Sequence, residues 1–124
     1  MPGIAPIASL DQLDAGADES SIVTPRTLRW GFSISLADNG YIAFPRWMGG
    51  LIIQWGNAYI ATNGSQFLFP IGFPNRCFVL DVGSGEDTMG QAEVMNIVPG
   101  SRTRTGFTAN ATGTSTYGYI AIGH

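Results

Sequence analysis

From residue 40 onward the sequence is cut into short apolar runs by glycine, proline and asparagine. The runs are GYIAFP (40–45), LIIQWGNA (51–58), SQFLFPI (65–71), RCFVLDV (76–82), QAEVMNIV (91–98), TRTGFTAN (103–110) and STYGYIAI (115–122). They are rich in Ile, Val, Phe, Tyr and Thr, the residues that suit a pleated, half-buried surface. Their repeat of about eight to twelve residues is that of an antiparallel sandwich or barrel. No helical period of useful length runs through this region. The chain is therefore constrained to an all-β architecture, and the predicted fold is an antiparallel β-sandwich.

Alternation assigns faces to these strands. Leu51, Ile53 and Trp55 share one face, and Ile52 and Gln54 point the other way. Trp55, central in its strand, is expected in the core. Phe67, Phe69 and Ile71 share a face; Val94 and Asn96 oppose Met95 and Ile97; Tyr117, Tyr119 and Ala121 oppose Ile120 and Ile122. RCFVLDV is apolar on both faces, which calls for a second covering surface, and a neighbouring subunit supplies it most economically. Pro45, Pro70 and Pro74 stand at strand ends, where no ladder donor is lost. Asn39-Gly40 and Gly49-Gly50 mark turns, and Asn63-Gly64 predicts a hairpin between residues 58 and 66.

The first 37 residues read differently. Ser9 can cap a short helix with Gln12 as its reciprocal partner, and Gly16 can stop it. Thr24 followed by Pro25 is a second helix start, with one or two turns expected to run towards Trp30. Helices this short are marginal alone and need packing from outside the segment. Residues 1–37 are expected to form a shaft-like segment, with 9–30 elongated, and residues 38–124 a compact head.

Composition narrows the function classes. Of the 124 residues 12% are charged and 44% hydrophobic, which is not the signature of a disordered chain. The net charge is −3, and the six basic residues, all arginine, are scattered, so no stripe for nucleic acid exists. No apolar run is long enough for a membrane helix, and MPGIAPIASL lacks the basic start of a secretory signal. Cys77 is the one cysteine and His124 the one histidine. Cys77 lies in an apolar strand and reads as a small buried hydrophobe rather than a nucleophile. No nucleophile elbow or Walker loop is present, and GSGEDTMG lacks the lysine that would reach a phosphate. A carboxylate pair for sugar hydrolysis could be drawn from Asp81, Glu86, Asp87 and Glu93, but acidic loop residues are mostly solvated turn formers. DVGSGED lacks the ligand alternation of an EF-hand, so neither a metal nor another cofactor is expected.

Five phrases in order carry a resemblance: NGYIAFP at 39–45, GLIIQWG at 50–56, FPIGFP at 69–74, GFTAN at 106–110 and YIAIG at 119–123. Together they resemble the C-terminal, receptor-binding tip domain of bacteriophage and prophage tail-fibre proteins. DAGADESSIVTPRTL at 14–28 is similar to the short repeat that precedes such heads in fibre shafts. The resemblance implies a homotrimer at the end of a fibre shaft in the virion, made in the bacterial cytoplasm. It implies adsorption to a surface polysaccharide or an outer-membrane protein, with no catalytic residue and no membrane insertion. A trimerisation cap without receptor contact is the alternative, and a polysaccharide depolymerase a more distant one. Receptor contacts are expected on the loops 57–65, 83–90 and 110–116, because loops carry recognition while a rigid scaffold holds them. Their candidate groups are Asn57, Tyr59, Asn63, Glu86, Asp87 and Asn110. Trp47, Trp55, Tyr59, Tyr117 and Tyr119 could offer rings to a sugar, although aromatics serve core and interface packing more often.

Overall fold

A computed structural model describes residues 6–60, 64–84, 95–111 and 115–124, without the side chains of 58–60, 84 and 115. The elements are α1 (Leu10–Ala15), α2 (Pro25–Leu28), β1 (Ser33–Ser35), β2 (Gly40–Ala43), a 3₁₀ turn at Arg46–Met48, β3 (Ile52–Ile60), β4 (Ser65–Leu68), β5 (Cys77–Ser84), β6 (Met95–Ile97), β7 (Gly106–Ala111) and β8 (Ser115–Gly123). The strands form two antiparallel sheets, one ordered β1-β2-β3-β8-β5 and the other β4-β7-β6. All seven predicted runs contain a strand. The additional strand, β1, has only Ser33–Ser35 to give, too short to show a period.

The Asn63-Gly64 hairpin does not form as expected. β3 pairs with β2 and β8, whereas β4 pairs with β7 in the other sheet, so the connection crosses between layers. The long β8 lies between β3 and β5, and its pairing with β3 runs from Ile52↔Gly123 to Ile60↔Ser115.

Aromatic rings fill the space between the sheets. Phe67 stacks on Phe107 at 5.1 Å, and Phe69 meets Phe73 edge-on at 5.3 Å. Tyr119 closes on Phe107 at 5.4 Å and on Phe69 at 5.7 Å. Ala109 and Ala121, both with no exposed surface, leave the room these rings need. Each ring pair adds about 1 kcal/mol beyond its burial.

The faces of β3 are the reverse of the hydrophobicity reading. Ile52 and Gln54 face the core, and Gln54 is 0% exposed. Trp55, expected inside, is half-buried on the outer face. The reason is hydrogen bonding. The Gln54 Nε2 donates to the Ile71 carbonyl at 2.7 Å, and its Oε1 accepts from the Ile71 N–H at 2.9 Å. The side-chain amide thus satisfies a crossing segment that no strand pairs, and its own nitrogen and oxygen each gain a partner. On β5 the register shifts between Cys77 and Val79. That bulge turns Val79 outwards while Cys77, Leu80 and Val82 pack on the core.

The outer face of the five-stranded sheet carries an aliphatic ladder across every strand. Ile34 stands opposite Ile42, Ile42 opposite Ile53, Ile53 opposite Ile122, and Ile122 opposite Val79. Ile34 remains 56% exposed and Val79 51%.

The N-terminal caps are as the sequence predicts. Ser9 and Gln12 form a capping box, and Gly16 closes α1 in the left-handed conformation at φ 67°. Thr24 caps α2, which stops at Leu28 rather than continuing to Trp30. The segment doubles back, with Ile7 bridged to Ile22. Between them the Ser21 hydroxyl and then the backbone and hydroxyl of Ser20 hold the Asp18 carboxyl down to about 2. α1 meets the 3₁₀ turn, where Arg46 Nη2 pairs with Asp14 Oδ2 at 2.7 Å.

Candidate functional site

The register distinguishes two ends of the sandwich. At one end Ala43, Ile52, Gly123 and Cys77 lie side by side, next to the 3₁₀ turn that receives α1. At the other end Ile60 meets Ser115 and Ser84 meets Tyr117, while in the second sheet Ser65 meets Ala109 and Met95 meets Ala111. The described ends of all three predicted loops therefore converge there.

Asn57 lies on β3 at that end, exposed, and its N–H donates to Asn39 Oδ1 at 2.8 Å. The contact needs Gly56. A Cβ there would lie 2.8 Å from Asn39 Oδ1 and 2.7 Å from the Tyr119 hydroxyl. Asn110 is exposed too, but its Oδ1 accepts from the Gly64 N–H at 2.7 Å, so part of its polar capacity anchors the entry to β4. Tyr59 occupies β3 opposite Thr116, and its side chain lies outside the described residues. Asn63, Glu86 and Asp87 also lie outside them.

Two grooves flank Asn57. One, of about 330 Å³, opens on the outer face of the larger sheet between Asp38, Trp55, Asn57, Asp81, Gly83 and Gly118. The other, of about 610 Å³, lies where β1 and β2 approach β4, with Ser35, Asn39, Tyr41, Asn57, Gln66 and Tyr119 among its walls. Trp55 is held rigidly in the first. Its Nε1 donates to the Ala37 carbonyl at 2.9 Å, and its ring lies against Gly40, where a Cβ would come within 2.8 Å of Cζ2. Tyr119 reaches towards both grooves from the core face, and burial pushes its phenol up.

The chemistry of these walls is that of holding. In the first groove carboxylates, an amide and the Tyr119 phenol surround the Trp55 indole. Cys77 is buried, its Sγ directed at the Val79 carbonyl at 3.4 Å, and burial pushes its thiol up. His124 stacks on Phe78 at 4.8 Å, away from the core that holds Cys77. Among the described residues no cluster of three His, Cys, Asp or Glu could hold a metal ion, and no helix is long and apolar enough to cross a membrane. Of the residues lining the first groove, sequence reasoning named Asn57 as a loop contact and weighed Asp81 in a carboxylate pair; it did not consider Asp38, and it placed Trp55 inside. One signal was legible: Gly118 interrupts a run otherwise filled with β-branched and aromatic residues.

Solved structures that this chain resembles include pyocin fibre fragments. The Pseudomonas aeruginosa R2 pyocin fiber aligns with a TM-score of 0.63 at 19% identity, covering 100% of this chain and 37% of that one. An N-truncated R2-type pyocin tail fiber aligns at 0.60 and 18% identity, covering 100% of this chain and 54% of that one. An N-truncated R1-type pyocin tail fiber aligns at 0.55 and 24% identity over 83% of this chain and 98% of its own. This chain thus spans about half or less of the two R2 fragments. A 44-residue stretch is also 46% identical to the uncharacterized protein MJ0347 of Methanocaldococcus jannaschii, covering 32% of this chain and 27% of that protein. Residues 46–124 match the family described as "Putative tail fiber protein gp53-like, C-terminal". The chain belongs to this family of tail-fibre C-terminal domains.

Proposed function

We propose that this domain is the distal adsorption module of a phage or pyocin-type tail fibre, acting as a homotrimer against a bacterial surface polysaccharide or outer-membrane protein. The observation that carries the reading is the polarity of the sandwich. The helical segment joins one end, and the described ends of the three inter-sheet loops gather at the other. A fibre domain built this way has its shaft behind it and its loops in front. Residues 1–37 then form the shaft-side segment and 38–124 the tip, with the Arg46–Asp14 pair crossing that boundary. Asn57, Tyr59, Asn63, Glu86, Asp87 and Asn110 supply receptor contacts at the loop end.

The Ile34–Ile42–Ile53–Ile122–Val79 ladder supports the trimer. Covering each half-exposed aliphatic side chain contributes about 1 kcal/mol, and a ladder crossing every strand suits a closed ring of copies. Three tips on one particle multiply a weak contact by avidity. The test is adsorption of the fluorescently labelled trimer to a panel of bacterial strains that includes Pseudomonas aeruginosa. Saturable binding to some strains and not others is expected. An intact trimer that adsorbs to none would leave the trimerisation cap as the better reading.

A further inference from the structure

We infer that the Trp55 groove is a binding site for an uncharged pyranose of a surface polysaccharide. The inference rests on the adsorption reading for its biological source, but the chemistry stands on the groove itself. A pyranose has an apolar C–H face and a rim of hydroxyl donors. The groove presents a counterpart to each. The Trp55 ring is fixed at its N–H by the Ala37 carbonyl and packs through Cζ2 against Gly40, so little side-chain freedom is lost on binding. Beside it Gly83 stands opposite Gly118 across the β5–β8 ladder, giving a floor of bare backbone. A Cβ placed on Gly83 meets nothing within 4 Å, so the space above this floor is open.

Polar groups stand around the ring. Asp38 comes from the β1–β2 connection, Asp81 from β5 and Asn57 from β3. Ionised carboxylates accept hydrogen bonds from hydroxyls and form the stronger, charge-assisted kind. Among the described residues no arginine lines the groove, so its two carboxylates repel uronates and phosphorylated sugars. Its volume of about 330 Å³ is at the small end of ligand sites, enough for a single sugar unit rather than a long chain. Binding by one copy is accordingly weak, in the range of about 1 mM, and becomes useful through multivalency.

The experiment is a titration of the full chain, followed by NMR at the Trp55 indole and the Asp81 and Gly83 amides. The probes are methyl glucoside, mannoside, galactoside and N-acetylglucosaminide, with glucuronate and glucose 6-phosphate alongside. At least one neutral glycoside is expected to shift all three signals saturably, and neither anion to do so. Gly83→Val, which favours the strand and fills the open floor, is expected to abolish the shifts while leaving the melting temperature unchanged. Asp81→Asn should weaken binding by about tenfold, the loss of one charge-assisted bond. No shift with any neutral glycoside, equal binding of an anion, or undiminished binding by Gly83→Val overturns the site. Adsorption to cells is measured on the same proteins. Adsorption without glycoside binding overturns the groove alone; glycoside binding without adsorption to any strain overturns the adsorption reading alone.

Discussion

The two faces of β3 differ in a way that hydrophobicity does not anticipate. Inward it presents Ile52, Gln54 and Gly56; outward it presents Ile53, Trp55 and Asn57. The inner face holds an amide with no exposed surface, while the outer holds the largest apolar ring of the strand, still half-open. Burial here follows the satisfaction of polar groups. Gln54 enters the core because Ile71 offers it both a donor and an acceptor. Trp55 stays out because its N–H finds the Ala37 carbonyl at the rim. The inner face therefore closes the sandwich, and the outer face keeps apolar surface available.

The sharpest way to break this contrast is Gln54→Leu. The variant is similar in volume and more apolar, so hydrophobicity alone would make it stabilising. It strands the Ile71 N–H and carbonyl in the interior, and two unsatisfied backbone groups cost about 2–4 kcal/mol in total. Urea denaturation should show that loss. A variant as stable as the parent would mean that the 69–76 crossing does not depend on the amide.

The outer face is tested next by Ile34→Asp. Ile34 is more than half exposed on the edge strand, so the chain itself should lose no more than about 0.5 kcal/mol. The charge falls on the aliphatic ladder, and in a trimer closed by that face it would be buried unpaired. Light scattering is expected to show a trimer for the parent chain and a monomer for the variant. A variant that remains trimeric would place the subunit contact elsewhere.

Trp55→Phe gives a smaller effect on the same side. It removes the N–H that binds the Ala37 carbonyl together with the ring carbon, Cζ2, that lies against Gly40, a net loss of about 1–2 kcal/mol. Hydrogen exchange should rise locally in the 36–39 connection, with the remainder of the sheet unchanged.

What the sequence made legible was local. The capping box of Ser9 and Gln12, the stop at Gly16 and the Thr24-Pro25 start all depend on neighbours within four residues. The seven main strands were legible for the same reason, since period and breakers are written in adjacent positions. Sheet order was not. Placing β8 between β3 and β5 depends on pairs far apart in sequence, from Ser84 with Tyr117 to Ile52 with Gly123, and the parity of β3 depends on Ile71, 17 residues beyond Gln54. The candidate site was less legible than the strands. Asn57 was assigned to a loop but lies within β3, because that strand runs on to Ile60; Trp55 was assigned inward with its strand, and the pairing of Gly83 with Gly118 exists only in the register.

Tyr119 provides the finest test of the inner face. It is 7% exposed, and burial raises its phenol above the ordinary value of 10.0. The raised value means that the folded state holds this proton more tightly than the unfolded state does. The corresponding stability is fully present below pH 10, where both states are protonated. Above it the unfolded chain ionises first, and stability falls as pH rises towards the folded value. Chemical denaturation between pH 8 and 11 should therefore show a declining stability in the parent chain. Tyr119→Phe removes this group from the titration and should flatten the decline, leaving only what the other ionising groups contribute. If the two curves run parallel to pH 11, the Tyr119 hydroxyl reaches water through the groove beside Gly56, and the inner face is less sealed than the outer face is open.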